Sequence, residues 1–165
     1  MASVAFTVTL VVSFLVVAWP RVTHALGIKP KPPVAAYTAG APVDVPADWY
    51  DARPHTLILF ARASCGACDN AKPFLGQLVA FFDRRATLVA AGGPETRDED
   101  AAFARSLGVQ DTNVKTAPRF LRVRATPTLL LVNQRGEILA AWEGVGPPEK
   151  QTAIAAAIDA ALGRQ

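Results

Sequence analysis

The sequence predicts an α/β domain with a mixed central sheet and helices on both faces, preceded by a hydrophobic helix. Three observations carry that expectation. Short apolar runs of strand length alternate with segments of helical period. Strands separated by helices call for parallel pairing, whereas two late strands joined by Asn133-Gln134-Arg135-Gly136 carry the signal of an antiparallel hairpin. Ahead of them all, residues 2–19 contain no charged side chain.

That uncharged stretch ends at Pro20-Arg21. Eighteen residues at about 1.5 Å each reach about 27 Å, enough to cross a hydrocarbon core, and Trp19 suits the interface. Residues 1–20 therefore read as a transmembrane anchor or as a cleaved secretory signal with Thr23-His24-Ala25 at the cleavage site, a buried core helix being the third reading. No Lys or Arg precedes the run, while Arg21, Lys29 and Lys31 follow it. Taken alone, those charges would leave the rest of the chain in the cytoplasm. Residues 21–48 include Pro30, Pro32, Pro33, Pro42 and Pro46 and few large apolar side chains. They read as an extended, semi-rigid linker, the alternative being an arm packed on the domain.

The domain itself is expected over residues 49–165. Residues 56–61 form an apolar run of strand length, and residues 65–82 a helix with Phe74, Leu75, Leu78 and Phe82 on one face. A second buried strand, residues 87–91, is broken by Gly92-Gly93-Pro94. Residues 98–107 start with acids and stop at Gly108, the pattern of a helix with a glycine end. A short helix is expected around residues 118–123, then strands at 128–132 and 137–142. The last helix, residues 149–162, stacks Ile154, Ile158 and Leu162 at i, i+4, i+8.

Composition narrows the function classes. A net charge of +3 is too weak to argue for nucleic acid. Two cysteines allow one disulfide and exclude a disulfide scaffold. A zinc site would need two further ligands, and His24 and His55 are not in ligand spacing. No metal and no cofactor is expected.

The two cysteines carry the chemistry. Cys65 and Cys68 stand as Ser64-Cys65-Gly66-Ala67-Cys68, directly after a strand and at the start of a helix. A free thiol titrates near pH ~8.5 and is mostly unreactive at neutral pH. Unpaired N–H groups and the positive end of the helix dipole would stabilise a thiolate at Cys65, while Cys68 lies one turn inward. The spacing thus assigns attack to Cys65 and resolution of the mixed disulfide to Cys68. Gly66 would let the backbone turn tightly and approach a partner chain.

Three features together resemble the thioredoxin superfamily, over Trp49 to Gly163. Cys65-Gly66-Ala67-Cys68 follows a buried strand; Pro73 lies five residues past the second cysteine, where thioredoxins have a helix-kinking proline; and Ala125-Thr126-Pro127-Thr128 enters a strand where they carry a cis-proline facing the dithiol. The stretch between Cys68 and Pro127 is longer than in a minimal thioredoxin by about one element, on the order of 20 residues. That addition and the hydrophobic N-terminus are similar to the TlpA-like group, which includes ResA- and DsbE-type proteins. Three departures stand out: Ser64 replaces the usual Trp, Ala67 replaces the usual Pro of the dipeptide, and Leu59 stands where thioredoxins bury an acid that helps move the second thiol's proton.

The resemblance implies a three-layer α/β/α fold and thiol–disulfide exchange with protein substrates, in which Thr126 and Pro127 present backbone to an extended substrate and Gly66, Ala67 and Pro73 support the dithiol. It implies a domain held at the bacterial inner membrane and facing the periplasm, with a membrane electron donor that keeps the pair reduced. Reductase work is the expected direction. A disulfide-forming oxidase of the same fold, or a non-enzymatic module that holds Cu(I) on the thiolate pair, are the alternatives. Arg62 is a candidate for biasing Cys65 toward thiolate, and Arg119, Arg122 and Arg124 for a solvated helix face or for guiding an acidic partner.

Overall fold

Central in the sheet is β1 (His55–Phe60), flanked by β2 (Thr87–Gly92) and β4 (Thr128–Asn133). The computed structural model describes residues 36–82, 87–117 and 122–163, so the anchor or signal read at residues 1–20 and the first part of the linker lie outside the described residues. Among the described residues no helix is long and apolar enough to cross a membrane. The outer strands are β3 (Val114–Thr116) beside β2 and β5 (Ile138–Glu143) beside β4, giving the order β3-β2-β1-β4-β5. Pairing is parallel for β1 with β2 and β2 with β3, and antiparallel for β1 with β4 and β4 with β5. The mixed sheet is therefore as the sequence predicts.

The period-two alternation of β1 and β4 divides the core. Leu57, Leu59, Leu129 and Leu131 face one cluster, while Ile58, Phe60, Leu130 and Val132 face another. The first cluster is covered by α1 (Gly66–Phe82), α2 (Arg97–Ser106) and α3 (Pro148–Leu162). Their buried residues include Phe74, Leu75, Leu78 and Phe82 from α1, Phe103 and Ala104 from α2, and Ile154 and Ile158 from α3.

Helices on both faces are expected from the sequence. Among the described residues all three α-helices share one face. Connectivity gives the reason. From β1 to β2 to β3 the chain steps twice in the same direction across the sheet, and right-handed crossovers then place α1 and α2 on the same side. The other face is covered by residues 36–50, which run without a long helix. Tyr37, Val45 and Trp49 are buried there, and the Tyr37 ring stacks on Phe60 at 6.3 Å. The Gly40 N–H donates to the Ile138 carbonyl at 2.8 Å, the Ile138 N–H to the Ala41 carbonyl at 2.9 Å, and the Val43 N–H to the Gly136 carbonyl at 2.8 Å. This part of the predicted linker is an arm on the domain, so the globular unit begins upstream of Trp49.

Two further differences concern short elements. The three-residue strand β3 has no counterpart in the sequence prediction. The helix expected around residues 118–123 falls largely outside the described residues, and Arg122 and Val123 are not helical.

Candidate functional site

Cys65 is the residue immediately before Gly66, which opens α1. Its carbonyl accepts the N–H groups of Cys68 at 2.9 Å and Asp69 at 3.0 Å, the first bonds of the helix. Its sulfur is surrounded by donors. The Cys68 thiol approaches at 2.7 Å, the Cys68 N–H at 3.1 Å and the Thr126 hydroxyl at 3.3 Å. When protonated, Cys65 itself donates to the Thr126 carbonyl at 3.3 Å. Both cysteines are free thiols.

The two thiols are set apart by their surroundings. Burial disfavours charge on Cys65, but hydrogen bonds from the Cys68 thiol, the Thr126 hydroxyl and the N–H groups of Cys68 and Ala67 outweigh it and hold its pKa below the ordinary value. Arg62 is not among those donors; its guanidinium reaches over Gly93 instead. Cys68 is 0% exposed and packs in the core with Leu59. Burial, then its hydrogen bond to Cys65, pushes its pKa up to about 11. The result is an attacking sulfur that ionises readily and a protected one that stays protonated.

Thr126 and Pro127 lie across from the dithiol, and the peptide between them is cis. Their loop is pinned on both sides. The Gly144 N–H donates to the Pro127 carbonyl at 2.8 Å, and the Thr128 hydroxyl to the Ala125 carbonyl at 2.8 Å. Pro127 is buried and Thr126 half-buried. Around Cys65 the surface is open, because Ser64, Gly66 and Ala67 are exposed. Gly66 does not adopt a positive φ, and a Cβ added to it would meet nothing within 4 Å. No tight turn there demands glycine, which corrects that expectation and leaves open space as what this position offers. Pro73 lies inside α1 on its exposed side.

The arginines upstream of Pro127 are not a free basic face. Arg122 donates through Nε to Asp44 at 3.2 Å and through Nη2 to the Pro42 carbonyl at 3.0 Å, with its guanidinium 4.8 Å from the Tyr37 ring centre. Arg124 makes a two-pronged pair with Glu143 at 2.9 and 2.8 Å. Arg119 lies outside the described residues. Among the described residues no group of three or more His, Cys, Asp or Glu side chains is placed to hold a metal ion.

Two contributions were not anticipated. The Thr126 side chain, not only its backbone, reaches the Cys65 sulfur. Asp100 is buried, 4% exposed, and accepts the N–H of Ala63 in the loop that leads into the dithiol. Its signal was readable: an acid three and four residues before Phe103 and Ala104 occupies the apolar face of a helix.

Comparison with known proteins agrees with this geometry. The family profile of the thioredoxin-like domain matches residues 51–159. No curated protein sequence matches the chain. Among solved structures, a candidate thiol:disulfide interchange protein DsbE from Chlorobium tepidum is similar at 19% identity and a TM-score of 0.60, covering 77% of this chain and 99% of that one. A thiol:disulfide interchange protein of the thioredoxin family, also from Chlorobium tepidum, is 18% identical with a TM-score of 0.51, covering 81% and 99%. A candidate protein disulfide isomerase from Bacteroides thetaiotaomicron is 18% identical with a TM-score of 0.53, covering 79% and 89%. At such identities the likeness is one of fold.

Proposed function

The chain belongs to the thioredoxin-like family, and from that premise we propose that it is a thiol–disulfide oxidoreductase acting on protein substrates through Cys65 and Cys68. One observation carries the reading: an accessible sulfur held toward thiolate by four donors, backed by a fully buried second thiol. In the reductive direction the Cys65 thiolate attacks one sulfur of a substrate disulfide. The substrate S–S bond breaks, and its departing thiolate takes up a proton. Cys68 then loses its proton and attacks the Cys65 sulfur, releasing the second substrate thiolate. Two electrons pass from the dithiol to the substrate, and a Cys65–Cys68 disulfide remains.

The finer reading is a TlpA- and DsbE-like reductase of the bacterial inner membrane, its domain facing the periplasm and its disulfide returned to dithiol by a membrane thiol donor. The uncharged residues 2–19 support the membrane part, and the names of the similar Chlorobium tepidum proteins support the exchange reaction. Residues 1–20 serve as anchor, or as a cleaved signal that leaves the domain free in the periplasm. Equilibration with glutathione tests the direction, since about 30 mV is tenfold in equilibrium constant for a two-electron couple. A couple more reducing than glutathione, with turnover of insulin disulfides, is the expected result. A more oxidising couple would make the chain an oxidase. Stoichiometric Cu(I) binding without disulfide turnover would replace the redox reading by metal delivery. A reporter fused at the C-terminus, active only in the periplasm, tests the topology.

A further inference from the structure

The loop between β1 and Cys65 belongs to neither strand nor helix, so its backbone groups need partners from elsewhere. One comes from a distant helix. Oδ1 of Asp100, in the first turn of α2, accepts the Ala63 N–H at 2.7 Å, two residues before Cys65. Oδ2 of the same carboxylate accepts the Gly93 N–H at 2.9 Å and the Thr96 hydroxyl at 2.6 Å. Both oxygens are occupied, as a buried carboxylate requires. The surrounding chain is shaped to admit it. A Cβ on Gly92 would come within 2.3 Å of the Asp100 Cβ, and one on Gly93 within 2.9 Å of Arg62 Nη2. Gly92, the last residue of β2, is thus the condition for the Asp100 side chain to lie there, while Gly93 makes room for the Arg62 guanidinium. Asp100 also lines a small cavity together with Leu59 and Ala61, at the base of the same loop.

We propose that Asp100 is a positioning residue for the dithiol: by tying the Ala63 N–H to the end of β2 and the start of α2, it fixes the height at which Cys65 meets the Thr126 hydroxyl. The inference rests on the thiol–disulfide reading of Cys65. It assigns Asp100 no proton transfer. The contacts at the Cys65 sulfur that depend on this placement are weak and geometric, at 3.1 to 3.3 Å from N–H and hydroxyl donors. A loop free to shift by about an ångström would lose them. Asp100→Asn keeps the volume but turns an amide NH2 toward an N–H or hydroxyl donor, so at least one of the three bonds is lost.

The test uses the full chain. Cys65 alkylation by iodoacetamide at neutral pH, ultraviolet thiolate absorbance and equilibration with glutathione are measured for the wild type, Asp100→Asn and Thr96→Val, each checked for fold by circular dichroism. Expected for folded Asp100→Asn is about fivefold slower alkylation, weaker thiolate absorbance, and an equilibrium constant moved about fivefold toward the disulfide, about 20 mV. Thr96→Val removes a single donor and is expected to act in the same direction by about twofold. Wild-type alkylation and potential in a folded Asp100→Asn would overturn the proposal and leave Asp100 a packing residue. If Asp100→Asn does not fold, Thr96→Val decides: lowered stability with unchanged alkylation overturns it. Alkylation needs no protein substrate. A wild type that reduces no disulfide, yet loses Cys65 reactivity on Asp100→Asn, would therefore refute the functional reading while sustaining this one.

Discussion

Replacing Thr126 by valine removes one donor from the Cys65 sulfur and changes almost nothing else. The side chain stays β-branched, suits the extended backbone required before a proline, and leaves the Thr126 carbonyl in place 3.3 Å from the sulfur. The lost hydroxyl bond, also 3.3 Å, contributes about 1 kcal/mol for a half-exposed partner. At 1.36 kcal/mol per decade that is roughly fivefold in the ratio of thiolate to thiol. A more basic thiolate is also a better nucleophile. With a Brønsted coefficient of about 0.4–0.5, a fivefold change in basicity returns about twofold in intrinsic reactivity. The two effects separate along the pH axis. Below the pKa of Cys65, Thr126→Val reacts about two- to threefold more slowly with a small aromatic disulfide; well above it, about twofold faster. Stopped-flow pH–rate profiles of the two proteins therefore cross. Profiles that superimpose, or a variant slower at every pH, would refute the assignment of the hydroxyl to the thiolate.

Three further outcomes follow from the same geometry. Cys68→Ser leaves attack intact but removes resolution, so the protein accumulates as a Cys65 mixed disulfide with substrate, seen by mass spectrometry and on non-reducing gels. Stability of the dithiol form should rise and then fall with pH. Cys65, lowered in the fold, loses its contribution as pH falls through its folded pKa, whereas Cys68, raised to about 11, loses its own as pH climbs from about 9 toward 11. Urea titrations of wild type against Cys68→Ala isolate the Cys68 share of the alkaline limb, which should shrink in the variant to the loss at higher pH from Tyr37, whose pKa burial also raises. Deleting residues 1–45 strips Tyr37 and Val45 from the second core cluster and Asp44 from Arg122. A loss of about 3 kcal/mol or more in urea is expected, where a free linker would give none.

What the sequence shows and what it hides divide along a physical line. β1, α1 and the hairpin of β4 and β5 are visible because each repeats its burial period over many residues: Leu57 and Leu59 against Ile58 and Phe60, or Phe74, Leu75 and Leu78 on one helix face. The dithiol is visible because its chemistry lies in four consecutive residues. β3 is not, since Val114, Lys115 and Thr116 join the sheet by backbone pairing and carry no pattern. The arm is masked by its prolines, which look like linker. Yet Pro42 is where it bridges to Glu137, and Tyr37, the one aromatic residue between positions 36 and 48, is an anchor. Asp100 and the Thr126 hydroxyl escape for a third reason. Each acts on a residue 37 or 61 positions away, and no local spacing encodes that distance.

The rate of the resolving step follows from what surrounds Cys68. Once Cys65 is joined to a substrate, the hydrogen bond between the two cysteines is gone, but burial, the larger of the causes that raise Cys68, remains. Leu59, 1% exposed and in the same cluster, brings no base to it. The thiolate needed for resolution must then form against burial, and below the pKa its population rises about tenfold for each unit by which pH increases. The lifetime of the wild-type mixed disulfide should accordingly shorten with pH throughout the range from neutral to about 10. Initial attack, governed by Cys65, levels off at a lower pH, so a purified mixed disulfide followed alone separates the two steps. Release that is independent of pH would mean that a base within reach of Cys68 takes its proton, and Leu59 would no longer account for the behaviour of this site.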